Sequence, residues 1–280
     1  MQTHSLHRAR RYQLGDYGVR GYHPLVSSWN ARVVAHGGAQ PGVGTLDVLN
    51  IFALALDAAS LTTKMKSVCC FVPDSLTAAI TPLITNYGND PWTDHSFVAG
   101  DLSVAGLAGA SSKYLDTGVV PSAAFSADTS GGLTAYAAIN AYVLGAGSAS
   151  YVNAFGLTDD GSYIFYDCYG YTGGGRISAT RTPLLSYYSG NRTAANAIAI
   201  YRARSDFAHA AIASGTGSAS STRGPDSLYC MAVNLGGSPA QYVTNTCSFA
   251  AIHEGLTAGE SSAFYNAVQA MRTGFGGGYA

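Results

Sequence analysis

Catalysis on a polar polymer would need paired carboxylates, and this chain has few to offer. Its only glutamates are Glu254 and Glu260, whereas glycoside hydrolysis needs two positioned acids. The adjacent pair Asp159-Asp160 sits in the string TDDG, which is turn chemistry. Histidines crowd the first 36 residues, and His95, His209 and His253 stand alone, without H-x-H or H-E-x-x-H metal spacing. His253-Glu254 reads as a solvated strand end. No G-x-S-x-G elbow occurs. TGGGR at 172–176 lacks the Lys-Ser/Thr and the helix that a phosphate loop requires. These absences predict a non-enzymatic protein with no metal and no cofactor. The strongest local signal is aromatic. From Tyr163 to Tyr171 the chain reads YIFYDCYGY. On a strand, Tyr163, Phe165, Asp167, Tyr169 and Tyr171 share one face. Tyr beside Asp on an open sheet can stack on sugars and bond hydroxyls, or anchor a subunit contact. The same face could also pack inside a core. Tyr163, Asp167, Tyr169 and Tyr171 are therefore the candidate contact residues.

The surrounding composition supports contact over catalysis. Of 280 residues 34 are Gly and 19 Tyr, only 11% are charged, and the net charge is -1. That excludes a disordered chain, a coiled coil and collagen. Charge is uneven: up to His36 there are five arginines against one acid, a net of +4. Arg8, Arg10, Arg11 and Arg20 define a basic arm, residues 1–28, suited to docking on an acidic surface. It lacks the density of a nucleic-acid tail, so no nucleic-acid contact is expected. No apolar stretch is long enough to cross a membrane, and the start lacks the apolar core of a signal peptide. Five irregularly spaced cysteines read as free buried thiols, in keeping with assembly in a reducing cytosol.

The elements that must position these residues fall into two regimes. TLDVLNIFALALDAASL has helical spacing with Thr45 as its expected N-cap. SVCCFV (67–72) reads as a buried strand, and DSLTAAITPLI as a helix broken by Pro82. Beyond Asn89 come short β-like runs separated by TSGG, GAGS, TDDG, YSGN and NLGGS turns, the pattern of an antiparallel sandwich. A final helix opens with the T-x-x-E capping box of Thr257 and Glu260, carries Phe264, Val268 and Met271 on one face, and has Gly274 as a C-cap candidate. The expected layout is a helix–strand–helix unit over 29–90 and a sandwich with terminal helix over 91–280.

SSKYLDTGVVPS (111–122) and SFAAIHEGLTAGESSAFYNAVQAMRTGFG (248–276) resemble the lectin-like, concanavalin-type jelly roll of tailed-phage virion proteins. Phe249, Ala250, Ile252, Gly255, Leu256, Thr257, Glu260, Tyr265, Val268 and Gly276 carry the likeness, and WNARVVAHGG from Trp29 resembles the stretch that precedes that sandwich. The resemblance implies a mainly β, antiparallel jelly-roll sandwich with a small N-terminal helical unit and a C-terminal helix. It implies a structural protein on the particle surface, a capsid decoration or short head fibre, assembled in the host cytoplasm. Its partners would be other virion proteins, capsid or tail, and further copies of itself. The alternative is a tail module that reads host surface glycans. The family has no catalytic motif to carry over.

Overall fold

A computed structural model describes residues 21–170, 173–181, 185–204, 207–219 and 222–277. Arg8, Arg10, Arg11, Arg20 and Tyr171 lie outside the described residues. The fold is a mainly β, antiparallel jelly-roll sandwich with helices on one side.

The first element is a helix, α1 (Pro24–Ala35), so the expected arm boundary at residue 28 falls inside it. Pro24 opens it with its fixed φ, and His23 caps it by accepting the Leu25 N–H at 3.2 Å. Arg32, counted with the arm by charge, is instead bonded to Asp90 at 2.7 Å and to the Pro82 carbonyl. Next is α2 (Val43–Ala58), which buries Leu46, Leu49, Phe52, Ala53 and Leu56. Its N-cap is Gly42. Thr45 lies one turn inside, and its hydroxyl donates to Asp74, which also accepts the Gly42 N–H. Strand β1 (Met65–Cys69) leads to α3 (Leu76–Ile80), capped by Ser75, and to β2 (Ile84–Thr85). Short strands β3 (Thr93–His95), β4 (Leu102–Ser103), β5 (Gly106–Ala108) and β6 (Tyr114–Asp116) precede a single turn, α4 (Pro121–Ala124).

The main sandwich strands follow: β7 (Gly131–Ala137), β8 (Leu144–Gly147), β9 (Phe155–Asp159), β10 (Tyr163–Cys168), β11 (Arg176–Thr180), β12 (Ser186–Ala194), β13 (Ala197–Arg204) and β14 (Phe207–Gly215). Then come β15 (Tyr229–Cys230), β16 (Val233–Leu235), β17 (Ser238–Ala240), β18 (Thr246–His253) and α5 (Ala258–Gly274). One sheet runs β14, β13, β12, β7, β18, β1, β2. The other runs β11, β10, β9, β8, β15, β6, β3. Pairing is antiparallel except where β16 meets β8. The TDDG turn joins β9 to β10 as anticipated, with Gly161 at φ 98° and Asp160 accepting the Ser162 and Tyr163 N–H groups.

Two cores result. One lies between the sheets and holds Leu133, Phe155, Leu157, Ile164, Tyr166 and Ile200. The other lies between the helices and the first sheet, around Trp29, Phe52, Phe249 and Phe264. Phe249 makes edge contacts with Phe52 and Phe264, at 6.0 and 5.7 Å between centroids. Each such pair adds roughly 0.5–1.5 kcal/mol beyond area burial. The T-x-x-E box forms: Glu260 accepts the Thr257 N–H at 2.9 Å, and Thr257 accepts the Glu260 N–H at 3.4 Å. Gly274 is the last residue of α5, Phe275 is its C-cap, and Gly276 takes the left-handed position at φ 76°. Gly274 is required for another reason: a Cβ there would lie 2.7 Å from Val48 of α2. All five cysteines are free and buried. Among the described residues no helix is long and apolar enough to cross a membrane.

Candidate recognition face

The helices cover one sheet, so the outward face of the other is where the aromatic segment can act. Along β10 the alternation holds for six residues. Ile164, Tyr166 and Cys168 point into the core, which turns Tyr163, Phe165 and Asp167 outward. Tyr163 is 48% exposed. The phase then breaks. Tyr169 sits beyond the strand at φ 60°, a left-handed conformation uncommon outside glycine. Its ring turns inward onto Phe155, 5.0 Å away, and its hydroxyl donates to the Ser130 carbonyl at 2.9 Å. Tyr169 is thus a core residue, and its expected place on the contact face is corrected.

Asp167 faces outward yet is fully buried. Arg176, paired with it across β11, donates from Nε and Nη2 at 2.5 and 2.7 Å. The Tyr142 hydroxyl donates to the same carboxylate at 3.2 Å. Burial pushes the Asp167 carboxyl above its ordinary range, and the guanidinium pulls it back only in part. Tyr142 reaches this position because β8 and β9 carry glycines beneath it. A Cβ on Gly145 or Gly156 would come within 2.5 or 2.4 Å of its ring. Arg176 also lies 4.4 Å over the Phe165 ring, an arrangement that favours a cation on an aromatic face. The resulting surface is a platform of Tyr163, Phe165 and the Arg176 guanidinium, with Asp167 serving as its hidden counter-ion. Toward the opposite edge His95 stacks on Tyr114 at 4.1 Å, and Tyr114 meets Tyr229 at 4.6 Å. Such a face can stack on sugar rings or on side chains of another subunit.

The remaining candidate acids have structural duties. Asp159 pairs with Arg181 at 2.7 Å. Glu254 binds Lys66 and the Ser130 hydroxyl, and Glu260 pairs with Lys64. His253 is not a solvated strand end. It is fully buried beneath α5, and burial pushes its imidazole down to about 4. Its Nδ1 lies 2.7 Å from the Glu254 carbonyl, so Nδ1 carries the hydrogen and Nε2 accepts from Thr134 Oγ1 at 2.8 Å. Thr134 in turn accepts from Ser189 Oγ at 2.7 Å, and Ser189 accepts from Asn191 Nδ2 at 2.8 Å. Asn191 Oδ1 accepts the Leu256 N–H at 2.8 Å. This directed chain escaped sequence reasoning. Its one visible sign was Gly132, where a Cβ would meet the His253 ring at 2.3 Å. Among the described residues no group of His, Cys, Asp and Glu could hold a metal ion.

No family model and no curated protein matches the chain. Solved structures do. A point variant of a GH54 α-L-arabinofuranosidase soaked with 4-nitrophenyl α-L-arabinofuranoside aligns at 13% identity and a TM-score of 0.41, covering 57% of this chain and 40% of that one. A GH54 α-L-arabinofuranosidase soaked with a cyclic sulfate inhibitor gives 13%, 0.38, 57% and 40%. Domain 4 of AbnA, a GH43 extracellular arabinanase from Geobacillus stearothermophilus, in complex with arabinotriose, gives 13%, 0.42, 72% and 98%. The chain spans about two fifths of the length of the GH54 structures it matches.

Proposed function

We propose that this chain is a non-enzymatic structural protein of a phage particle surface, a capsid decoration or short head fibre that works through protein contacts. The observation that carries the non-enzymatic part is the condition of four carboxylates singled out from the sequence. Asp167 and Asp159 are held by arginines, Glu254 by Lys66, and Glu260 by a helix cap and Lys64. General acid–base work needs a carboxyl that can meet substrate and exchange its proton, and these four are already committed. The virion context comes from the sequence resemblance carried by 111–122 and 248–276 and by the stretch from Trp29. A charge-poor chain rich in Tyr, Ser and Gly suits symmetric packing, in which each neighbour adds stability by mass action.

The test is location. Antibody labelling and mass spectrometry of purified particles should find the chain in repeated copies on the head. Its absence from particles would overturn the reading. Deleting residues 1–20, which leaves the His23 cap and α1 intact, should abolish incorporation if the basic arm is the anchor, and unchanged incorporation removes that role. A second reading, a tail module that binds host glycans, is favoured by the platform of exposed Tyr163 with half-buried Phe165 and Arg176.

A further inference from the structure

On the helix-covered sheet, the N-terminal turn of α5 meets β14 at His209 through Ser261, and beside that contact a groove of about 560 Å³ opens along β13 and the end of β14. That volume falls within the roughly 300–1,000 Å³ of small-molecule sites. We infer that this groove is a binding site for a neutral saccharide unit, separate from the Tyr163–Phe165 platform on the other sheet.

The lining chemistry selects the ligand class. Asn191, Thr193, Ser214, Thr216, Thr257 and Tyr201 face the groove, and among the described residues no Asp, Glu, Lys, Arg or His lines it. A charged ligand would lose hydration there without gaining a counter-ion. A polyol finds hydroxyls and amides that both donate and accept, and an aromatic side chain for its apolar C–H face. Two of these groups are held in place before any ligand arrives. The Tyr201 ring stacks on His209 at 5.1 Å with only 10° between planes, and His209 is fixed by Ser261 Oγ at 2.9 Å. Asn191 is 1% exposed and closes the buried chain that runs back to His253. Its Nδ2 donates to Ser189 and its Oδ1 accepts the Leu256 N–H, so the amide that lines the groove is held in one orientation. The far wall is fixed as well. Fully buried Arg192 donates to the Gly217 and Ala195 carbonyls at 3.0 and 2.8 Å, next to Thr216 and Asn196.

The inference stands apart from where on a particle the chain sits. It is tested with the full chain on an array of neutral hexose, pentose and N-acetylhexosamine oligosaccharides beside sialylated and sulfated controls. We expect binding to neutral members, reduced at least tenfold by Tyr201→Ala and by Ser214→Trp, which fills the groove from an exposed position. Phe165→Ala should leave binding unchanged, and thermal melting should show all three variants folded. Binding lost with Phe165→Ala but kept with Tyr201→Ala and Ser214→Trp overturns the groove while leaving glycan recognition on the other sheet. Preference for the charged controls, or a silent array, also overturns it.

Discussion

The imidazole of His253 accepts a hydrogen bond from Thr134 at 2.8 Å, deep beneath α5, and both residues are fully buried. The bond requires a neutral ring. Folding lowers the imidazole from its ordinary 6.5 to about 4, so between those values the unfolded chain takes up a proton that the folded chain refuses. Stability is therefore complete above pH 6.5 and falls as pH drops toward 4, by up to about 3 kcal/mol. His209, held below its usual value by burial, acts in the same direction. Urea unfolding at pH 7 and pH 4.5 should show this loss, and His253→Gln should flatten it. An equal pH slope in the variant would assign the loss elsewhere.

Arg176→Ala should be costly. It strips the cation from a carboxylate that has no exposed surface, and leaving a buried charge unpaired costs about 3–5 kcal/mol. Replacing both partners, Arg176→Met with Asp167→Leu, should recover most of that stability. Denaturant midpoints of the single and double variants decide the matter.

Gly156→Ala drives a methyl into the Tyr142 ring. The expected cost is roughly 1–3 kcal/mol from overpacking. Because the strain is shared between two residues, Tyr142→Ala should relieve it. A double-mutant cycle should give a coupling above about 0.5 kcal/mol, and strict additivity would contradict the packing described.

Thr257→Ala removes the hydroxyl that caps α5 and should cost about 1 kcal/mol. Glu260→Gln keeps the reciprocal bond to the Thr257 N–H while losing the charge that faces Lys64. Its effect should be smaller, because partly exposed ion pairs contribute under about 1 kcal/mol. Thermal melts of the two variants should rank in that order.

What the sequence disclosed was local. Thr257 and Glu260 announce α5, and Asp160-Gly161 announces the β9–β10 hairpin, because in each case the signal lies within four residues of the structure it makes. Alternation along β10 was legible until one backbone at Tyr169 reversed its phase. The adjacent Gly170, at φ 153°, was the available hint. Helix α1 was hidden because its cap is a histidine and its body carries Ser27 and Ser28 within a basic stretch. The burial of Asp167 depends on Tyr142, Gly145, Gly156 and Arg176, four residues on three segments. His253 depends on Gly132 and Thr134, some 120 positions earlier. Such long-range coincidences leave only isolated strand glycines as their trace.

The pairing of β1 with β18 sets a timetable for synthesis. Cys69 faces Ala250, so the inner face of the α1–α2 unit must wait roughly 180 residues for the strand and helix that cover it. At 5–20 residues per second that is on the order of 10–40 s on the ribosome. During that time Trp29, Phe52 and Leu56 lack Phe249 and Phe264. The nascent chain must pass this interval shielded by a chaperone or by transient collapse, and emergence of the final helix commits it to its native form.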